Sequence, residues 1–194
     1  MKKILLTIAI ILAIGLLVLM IFPYKGFSLL ADKNLGDLKC VNRQEEKTVR
    51  GQSLEGVLNE DETVKVFYGY YNCNEVKRDD FIIYNYTKQS NELIKMVKAI
   101  PGDKIELRTN EQGERNIFVN DEILKNSIGD AYVLPIGKKT MIELHINDYN
   151  EVMPADNYII LGNLANGSID SIKFGFVKKD DIIGKVQIIS LNKH

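Results

Sequence analysis

The sequence has few of the residues that bind metal ions. Its 194 residues include two cysteines and two histidines, and none of them is spaced as C-x-x-C or H-x-x-x-H. Those spacings are typical of zinc sites, so we expect no metal and no other cofactor. The net charge is −1, from 25 basic and 26 acidic residues. The composition therefore provides no basic surface of the kind that binds nucleic acid, and we expect no such partner.

Charge is also absent from one long stretch near the amino terminus. Residues 4–22 are nineteen consecutive uncharged residues, and Lys2 and Lys3 precede them. A helix of nineteen residues spans about 28 Å, enough to cross the hydrocarbon core of a bilayer. A cleavable signal peptide, the alternative, usually has an apolar run of about 7–15 residues and then a small-x-small cleavage site. That site is missing here, so the run predicts an uncleaved transmembrane anchor within residues 1–26.

The charges that flank this run predict its orientation. Basic residues tend to remain on the cytoplasmic side, so the two amino-terminal lysines indicate a cytoplasmic amino terminus. Lys25 and Lys33, just beyond the run, argue the other way. We expect a single-pass protein of the cytoplasmic membrane with residues 27–194 outside the cytoplasm. Cys40 and Cys73 both fall in that part; an oxidising compartment permits a disulfide, but the sequence leaves open whether they pair.

Residues 27–194 have the pattern of short strands separated by turns. The strand windows are rich in Thr, Val, Ile, Tyr and Phe, and no long stretch has a 3.6-residue period. The predicted strands are residues 62–68, 80–86, 93–100, 104–108, 116–119, 122–124, 141–146, 158–161 and 182–191. Asn120 and Asp121 form a two-residue hairpin turn between two of them. We expect a mainly β fold, an antiparallel sheet or barrel, behind a single amino-terminal transmembrane helix.

His145 is the histidine that a Ser-His-Asp hydrolase would have to use, because the other histidine is the carboxy-terminal residue. In the predicted strand 141–146, alternation places it on the face opposite Ile142 and Leu144. That position is typical of a solvated side chain. We therefore expect no catalytic role for His145.

Lys95 has a different pattern. Alternation places it on one face of its strand with Leu93 and Val97, as the only charged residue among apolar ones. Burial of a lysine among apolar residues lowers its pKa, and a neutral lysine can act as a general base. A lysine at a sheet edge, whose amine reaches water, would fit the same pattern.

Three segments of the chain, in this order, resemble the motifs of bacterial type I signal peptidases, the serine–lysine leader peptidases. Residues 51–58, GQSLEGVL, resemble the serine motif G-x-S-M-x-P-T-L. Residues 94–103, IKMVKAIPGD, resemble the lysine motif I-K-R-V-I-G-L-P-G-D. Residues 162–177, GNLANGSIDSIKFGFV, resemble the motif G-D-N-R-D-N-S-x-D-S-R-x-x-G-x-V. With the apolar amino terminus, the resemblance covers the anchor and about residues 47–188.

The resemblance implies roles for four residues. Ser53 would be the nucleophile and Lys95 its general base. Ser168 would hold the Lys95 amine by a hydrogen bond, and Asp170 would support that loop. The backbone N–H of Ser53 would donate to the oxyanion, without the second hydroxyl donor of some members because Gly51 stands at its position. Serine and aspartate in these segments also suit ordinary turns.

Departures from the motifs mark a divergent member of the family. Those that bear on the site include Leu54, Gly56, Val57, Met96 and Ile172. Leucine for methionine conserves volume, so we expect Leu54 to contact the apolar side of the substrate cleft or the bilayer surface. Without an arginine at position 172, Asp170 would pair with Lys173, Arg50 or water.

The implied activity is that of a membrane-bound serine endopeptidase that cleaves signal peptides from exported preproteins. Its partners would be those signal peptides and the lipid bilayer, and it would prefer small residues at the first and third positions before the cut. One alternative is a processing peptidase dedicated to a single pilin-type or conjugation-type substrate. Another is a non-catalytic, membrane-tethered β domain that binds exported chains.

Overall fold

The structure, a computed structural model, describes residues 35–86, 92–165 and 167–189. The predicted transmembrane anchor lies outside these ranges. Within them, no helix is long and apolar enough to cross a membrane. The chain divides into two units, residues 1–36 and 37–194, and the strands of the described ranges lie in the second.

Strands dominate the part of the chain that the structure describes. They are β1 (Arg43–Thr48), β2 (Thr63–Tyr68), β3 (Phe81–Asn85), β4 (Glu92–Ala99), β5 (Ile105–Thr109), β6 (Arg115–Val119), β7 (Glu122–Ile123), β8 (Val133–Leu134), β9 (Asn157–Leu161), β10 (Val177–Lys178) and β11 (Ile182–Ile188). The helices are α1 (Met141–Asp148) and α2 (Ser171–Phe174), and single 3-10 turns lie at Tyr70–Asn72 and Lys179–Asp181. The expectation of a mainly β, antiparallel fold is confirmed.

The strands form two antiparallel sheets. The larger has the order β1-β2-β11-β3-β4-β9-β10, and in the smaller β5, β6 and β7 are neighbours while β8 also pairs with β6. Lys47 on β1 forms an ion pair with Glu92 on β4, although three strands lie between β1 and β4 in the sheet. The larger sheet is therefore curled, so that its first and fifth strands approach each other across the inner face.

Two apolar clusters stabilise these sheets. The cluster on the inner face of the curled sheet contains Val49, Leu54, Leu58, Val64, Val66, Tyr68, Ile83, Met96 and Val186. The second cluster draws on the smaller sheet, β9 and both helices, and it contains among others Ile105, Ile117, Tyr132, Leu134, Ile142, Ile146, Ile159, Leu161 and Ile172. The motif-like segments are anchored in these clusters: Leu54, Leu58 and Met96 belong to the first, and Ile172 and Phe176 to the second.

Most of the predicted strands are present within one or two residues of their expected limits, and the hairpin turn is confirmed. Val119 pairs with Glu122 across it, and the two turn residues, Asn120 and Asp121, have φ of 50° and 67°. Both values lie in the left-handed region that this type of two-residue turn requires. Strand β1, RQEEKT, was not predicted, because it contains no apolar residue to reveal its period.

The predicted strand at residues 141–146 is wrong, because this segment is helix α1. Ile142 and Ile146 lie four residues apart and are both buried, whereas Leu144 between them is exposed. A short apolar run fits a strand and a helix period equally well, and here packing on the core selects the helix. His145 accepts a hydrogen bond at Nδ1 from the backbone N–H of Phe176, 2.8 Å away.

Cys40 and Cys73 form a disulfide bond, with their Cα atoms 5.8 Å apart. The bond joins the segment before β1 to the 3-10 turn after β2. The pairing that the sequence left open is therefore present in the structure.

Candidate active site

Ser53 lies on the loop between β1 and β2, and buried leucines fix this loop to the core. Leu54, 2% exposed, and Leu58 both belong to the inner cluster, and the backbone N–H of Leu58 donates to the carbonyl of Leu54 at 2.9 Å. Gly51 and Gly56 flank this turn with φ of 81° and 90°, a region that favours glycine. Leu54 lines the cleft beside Ser53, in agreement with the first of the two contacts expected of it; because the side chain is buried, the alternative contact with a bilayer surface is wrong.

The end of β9 holds the same loop from the other side. The backbone N–H of Asn163 donates to the carbonyl of Ser53 at 2.7 Å. A methyl group on Gly162 would lie 2.5 Å from that carbonyl oxygen and 2.6 Å from the Ser168 hydroxyl. Only a glycine permits this approach, so Gly162 brings the Ser53 and Ser168 segments together.

Lys95 on β4 points its amine at Ser53. The Lys95 side chain is 3% exposed, and its Nζ donates to Ser53 Oγ at 2.6 Å. Burial lowers the pKa of Lys95 from 10.5 to about 8, and the charge of Asp170 opposes this fall. The burial expected from strand alternation is confirmed. A hydroxyl and an amine with a lowered pKa are therefore in direct contact.

Asp170 lies beside this pair and is fully buried at the start of α2. Its Oδ1 accepts from the backbone N–H of Ile172 at 3.0 Å, and its Oδ2 accepts from that of Gly162 at 3.2 Å. Ser168 Oγ also donates to Oδ2. Burial raises the pKa of Asp170, and hydrogen bonds from Ser168, Gly162 and Ile172 oppose that rise.

The structure differs from the resemblance in how Ser168 and Asp170 are used. Among the residues that the structure describes, the Ser168 hydroxyl donates to the buried Asp170 carboxylate, and no hydrogen bond joins Ser168 to Lys95. Asp170 takes backbone and hydroxyl donors rather than Lys173 or Arg50. Arg50 lies 3.5 Å from Asp61, on the surface. At position 172, isoleucine packs into the second apolar cluster.

The model of one protein family, described as "Signal peptidase, peptidase S26", matches residues 1–191. The chain belongs to this family. It is a hydrolase, a serine endopeptidase, and its membership supports the cleavage of signal peptides as its activity.

Several curated proteins are similar to this peptidase. Signal peptidase IB from Staphylococcus aureus is 28% identical over 144 residues, which cover 72% of this chain and 73% of the relative. Signal peptidase I P from Bacillus subtilis subsp. natto is 27% identical over 146 residues, 73% of each chain. Among solved structures, a signal peptidase I from Enterococcus faecalis matches with 19% identity and a TM-score of 0.41, over 60% of this chain and 98% of that one.

Asn163 is a residue of the peptidase site that the sequence did not reveal. It is 3% exposed, and its Nδ2 donates to the carbonyl of Glu55 and to Ser127 Oγ, each at 2.7 Å. Through its backbone N–H and its side-chain amide, Asn163 thus holds the carbonyl groups of Ser53 and Glu55. The motif has an aspartate here, and only the three-dimensional contacts show why an amide donor suits this chain.

A cleft of about 280 Å³ opens beside Ser53 and Lys95. Residues 47–51 form one wall and residues 92–95 form the other. Across the described ranges, β1 pairs with β2 only, and β9 pairs with β4 from Met96 onward, so neither wall has a neighbour on the side of the cleft. The cleft thus lies between two free strand edges. No group of side chains in the described part of the chain could hold a metal ion.

Proposed function

We propose that this peptidase is a membrane-bound signal peptidase in which Ser53 is the nucleophile and Lys95 is the general base. The observation that carries the proposal is the 2.6 Å contact between Lys95 Nζ and Ser53 Oγ, made by a lysine that is 3% exposed. A hydroxyl becomes an effective nucleophile when an adjacent base accepts its proton. A Ser-His-Asp triad with His145 as the base is unsuitable, because the Nδ1 atom of His145 accepts a hydrogen bond from the backbone N–H of Phe176, in the second cluster.

Acylation begins with Lys95 in its neutral form. Its lone pair takes the proton of the Ser53 hydroxyl as Oγ attacks the scissile carbonyl carbon. The carbonyl oxygen becomes an oxyanion, and the backbone N–H of Ser53 donates to it. The peptide C–N bond then breaks, the leaving amine takes the proton back from Lys95, and the signal peptide stays attached to Oγ as an ester.

Deacylation repeats these steps with water. Neutral Lys95 takes a proton from the water, whose oxygen attacks the ester carbonyl carbon. The bond to Ser53 Oγ breaks, the proton returns to Oγ, and the signal peptide leaves with a new carboxyl group. Asp170 and Ser168 support this chemistry indirectly: their hydrogen bonds fix the loop against Gly162, and the charge of Asp170 tunes the Lys95 pKa.

The substrate binds as an extended strand in the cleft. Its backbone would hydrogen-bond to the free edges of β1 and β4, so that an added strand connects the two walls. This mode suits a peptidase whose substrates share little sequence, because backbone groups provide most of the contacts.

The location we propose is the outer face of the cytoplasmic membrane. The uncharged run at residues 4–22 is long enough for an anchor, and the Cys40–Cys73 disulfide fits an oxidising compartment outside the cytoplasm. An anchored site at that surface would meet signal peptides as they emerge.

Acylation at Ser53 tests the proposal. The full chain in detergent, treated with a serine-directed acylating inhibitor, should gain one label on Ser53 and lose cleavage of a preprotein. The Ser53→Ala variant should take up no label and cleave nothing, while Thr109→Ala, a control that removes an exposed hydroxyl on β5, should still be labelled and should still cleave. A label on another residue, or cleavage by Ser53→Ala near the wild-type rate, would remove the nucleophile assignment. A folded chain that binds preproteins but neither reacts nor cleaves would favour the binding-domain alternative.

A further inference from the structure

The inner face of the curled sheet changes character along the cleft. Near Ser53, the residues of this face that line the cleft are apolar: Val49, Leu54, Ile83 and Ile94. Farther along, the lining residues are Lys47 and Glu92. A substrate strand along this face would therefore place one side chain against the apolar surface and the next side chain of the same face against the charged one.

The strand register places Glu92 and Ile94 on this one face. Ile94 pairs with Ile83 on β3, and residues directly opposite each other in an antiparallel pair share a face. Glu92 comes two residues before Ile94, so its side chain points the same way, about 6.6 Å farther from Lys95 at ~3.3 Å per residue. The same spacing separates side chains of one face in a bound substrate strand.

The ion pair at the far end is held in place by its neighbours. Lys47 Nζ donates to Glu92 Oε2, and both side chains are only about a quarter exposed, at 27% and 25%. The Tyr68 hydroxyl donates to the same carboxylate at 3.3 Å, and the guanidinium of Arg43 lies 3.8 Å from the centre of the Tyr68 ring. An aliphatic side chain buried against this pair would displace water from two charges and would not replace the hydrogen bonds that the water makes.

A bound substrate must place its scissile carbonyl at Ser53. In this binding mode the residues before the cut, which stay bonded to Ser53 Oγ in the ester, run along the free strand edges from Lys95 towards Glu92. The side chain just before the cut then lies against the apolar surface at Ile94, beside Lys95. The next side chain on that face belongs to the third residue before the cut, and it lies against the Lys47–Glu92 pair.

We propose that the Lys47–Glu92 pair is a specificity subsite that selects a small hydroxyl side chain, threonine or serine, at the third residue before the cut. This inference rests on the proposed function and refines its substrate class. A hydroxyl is both donor and acceptor, so it donates to Glu92 and accepts from Lys47. The small aliphatic residue that the family resemblance implies at this position gains neither bond.

Threonine and valine provide the test, because they have the same shape and differ in one hydroxyl. Two fluorogenic peptides carry alanine just before the cut, with threonine or valine at the third position. The wild-type chain in detergent should cleave the threonine peptide with a kcat/KM about tenfold higher, as expected for hydrogen bonds to charged groups. The same exchange at the second position, which points to the other face, should change kcat/KM by less than about twofold.

The double variant Lys47→Met with Glu92→Leu should reduce the threonine preference to about one or invert it, because it replaces the pair by aliphatic groups. Glu46→Gln, on the exposed face of the same strand, is the matched control and should keep the preference. Equal cleavage of both peptides by the wild-type chain overturns the inference without any variant, and so does an unchanged preference in a folded double variant. Cleavage of no peptide, together with no label on Ser53, overturns the proposed function as well.

Discussion

Lys95 should make the acylation rate depend on pH in a range where a free lysine would be inactive. Burial lowers its pKa from 10.5 to about 8. At pH 7 a group with a pKa of about 8 is neutral in about one molecule in eleven, whereas a free lysine is neutral in fewer than about one in a thousand. Burial therefore raises the population of the reactive form more than about a hundredfold at pH 7.

The assay is the rate constant of Ser53 acylation, measured from about pH 6 to about pH 10 on the full chain in detergent. Only the neutral amine accepts a proton, so the rate should rise with pH, reach half of its maximum near pH 8 and then level off. Lys95→Arg should be inactive throughout, because the guanidinium stays protonated.

The charge of Asp170 provides a second test of the same reasoning. This charge raises the pKa of Lys95 against the effect of burial, so Asp170→Asn should move the midpoint of the pH profile to lower pH. The maximal rate can fall as well, since Asn cannot accept every hydrogen bond that the carboxylate accepts; the midpoint is the decisive measurement. A rate independent of pH between about 6 and 10, or a midpoint that rises in Asp170→Asn, would show that Lys95 is not the titrating base.

Four other changes should have measurable effects. Lys95→Met should raise the free energy of unfolding at pH 7 by up to about 3 kcal/mol, since a lysine whose pKa falls from 10.5 to about 8 on folding destabilises the fold at neutral pH. In urea titrations this gain should shrink as pH rises from about 8 towards 10.5, and a loss of stability at pH 7 would contradict it. Ser168→Ala should reduce kcat for preprotein cleavage less than Ser53→Ala does. An unchanged kcat in Ser168→Ala would show that Ser168 does not support the reaction. Gly162→Ala should lower stability by about 1–3 kcal/mol in thermal unfolding, because its methyl group would overlap the Ser53 carbonyl; an unchanged midpoint would show that the loop yields easily. Asn163→Asp should lower kcat about tenfold with little change in KM, because it loses the amide donor to Glu55; a change in KM alone would place its role in substrate binding instead.

The sequence predicted the parts of this site that depend on local pattern. Alternation along β4 identified Lys95 as a charge on an apolar face, and the resemblance to the motifs singled out Ser53 and Ser168. Burial of Lys95 and its contact with Ser53 follow from the curl of the sheet, which brings the β1–β2 loop over β4.

Other features depend on contacts between distant segments and could not be predicted. Asn163 contacts Glu55 across 108 positions of sequence, so no local pattern reveals its donor role. The partners of Asp170 include the backbone of Gly162, which the arginine-based motif does not suggest. Helix α1 was mistaken for a strand because the apolar pattern of six residues fits both a helix and a strand period, and only packing on the core selects the helix.

The disulfide has a mechanical consequence for the catalytic segment. Cys40 and Cys73 are 33 positions apart, and both β1 and the Ser53 loop lie inside the covalent ring that they close. Tension on the chain ahead of Cys40 passes directly through the sulfur atoms to the turn after β2. Within the described ranges β1 pairs with β2 alone. The disulfide shields it from a pull that would otherwise separate it from β2 and displace Ser53.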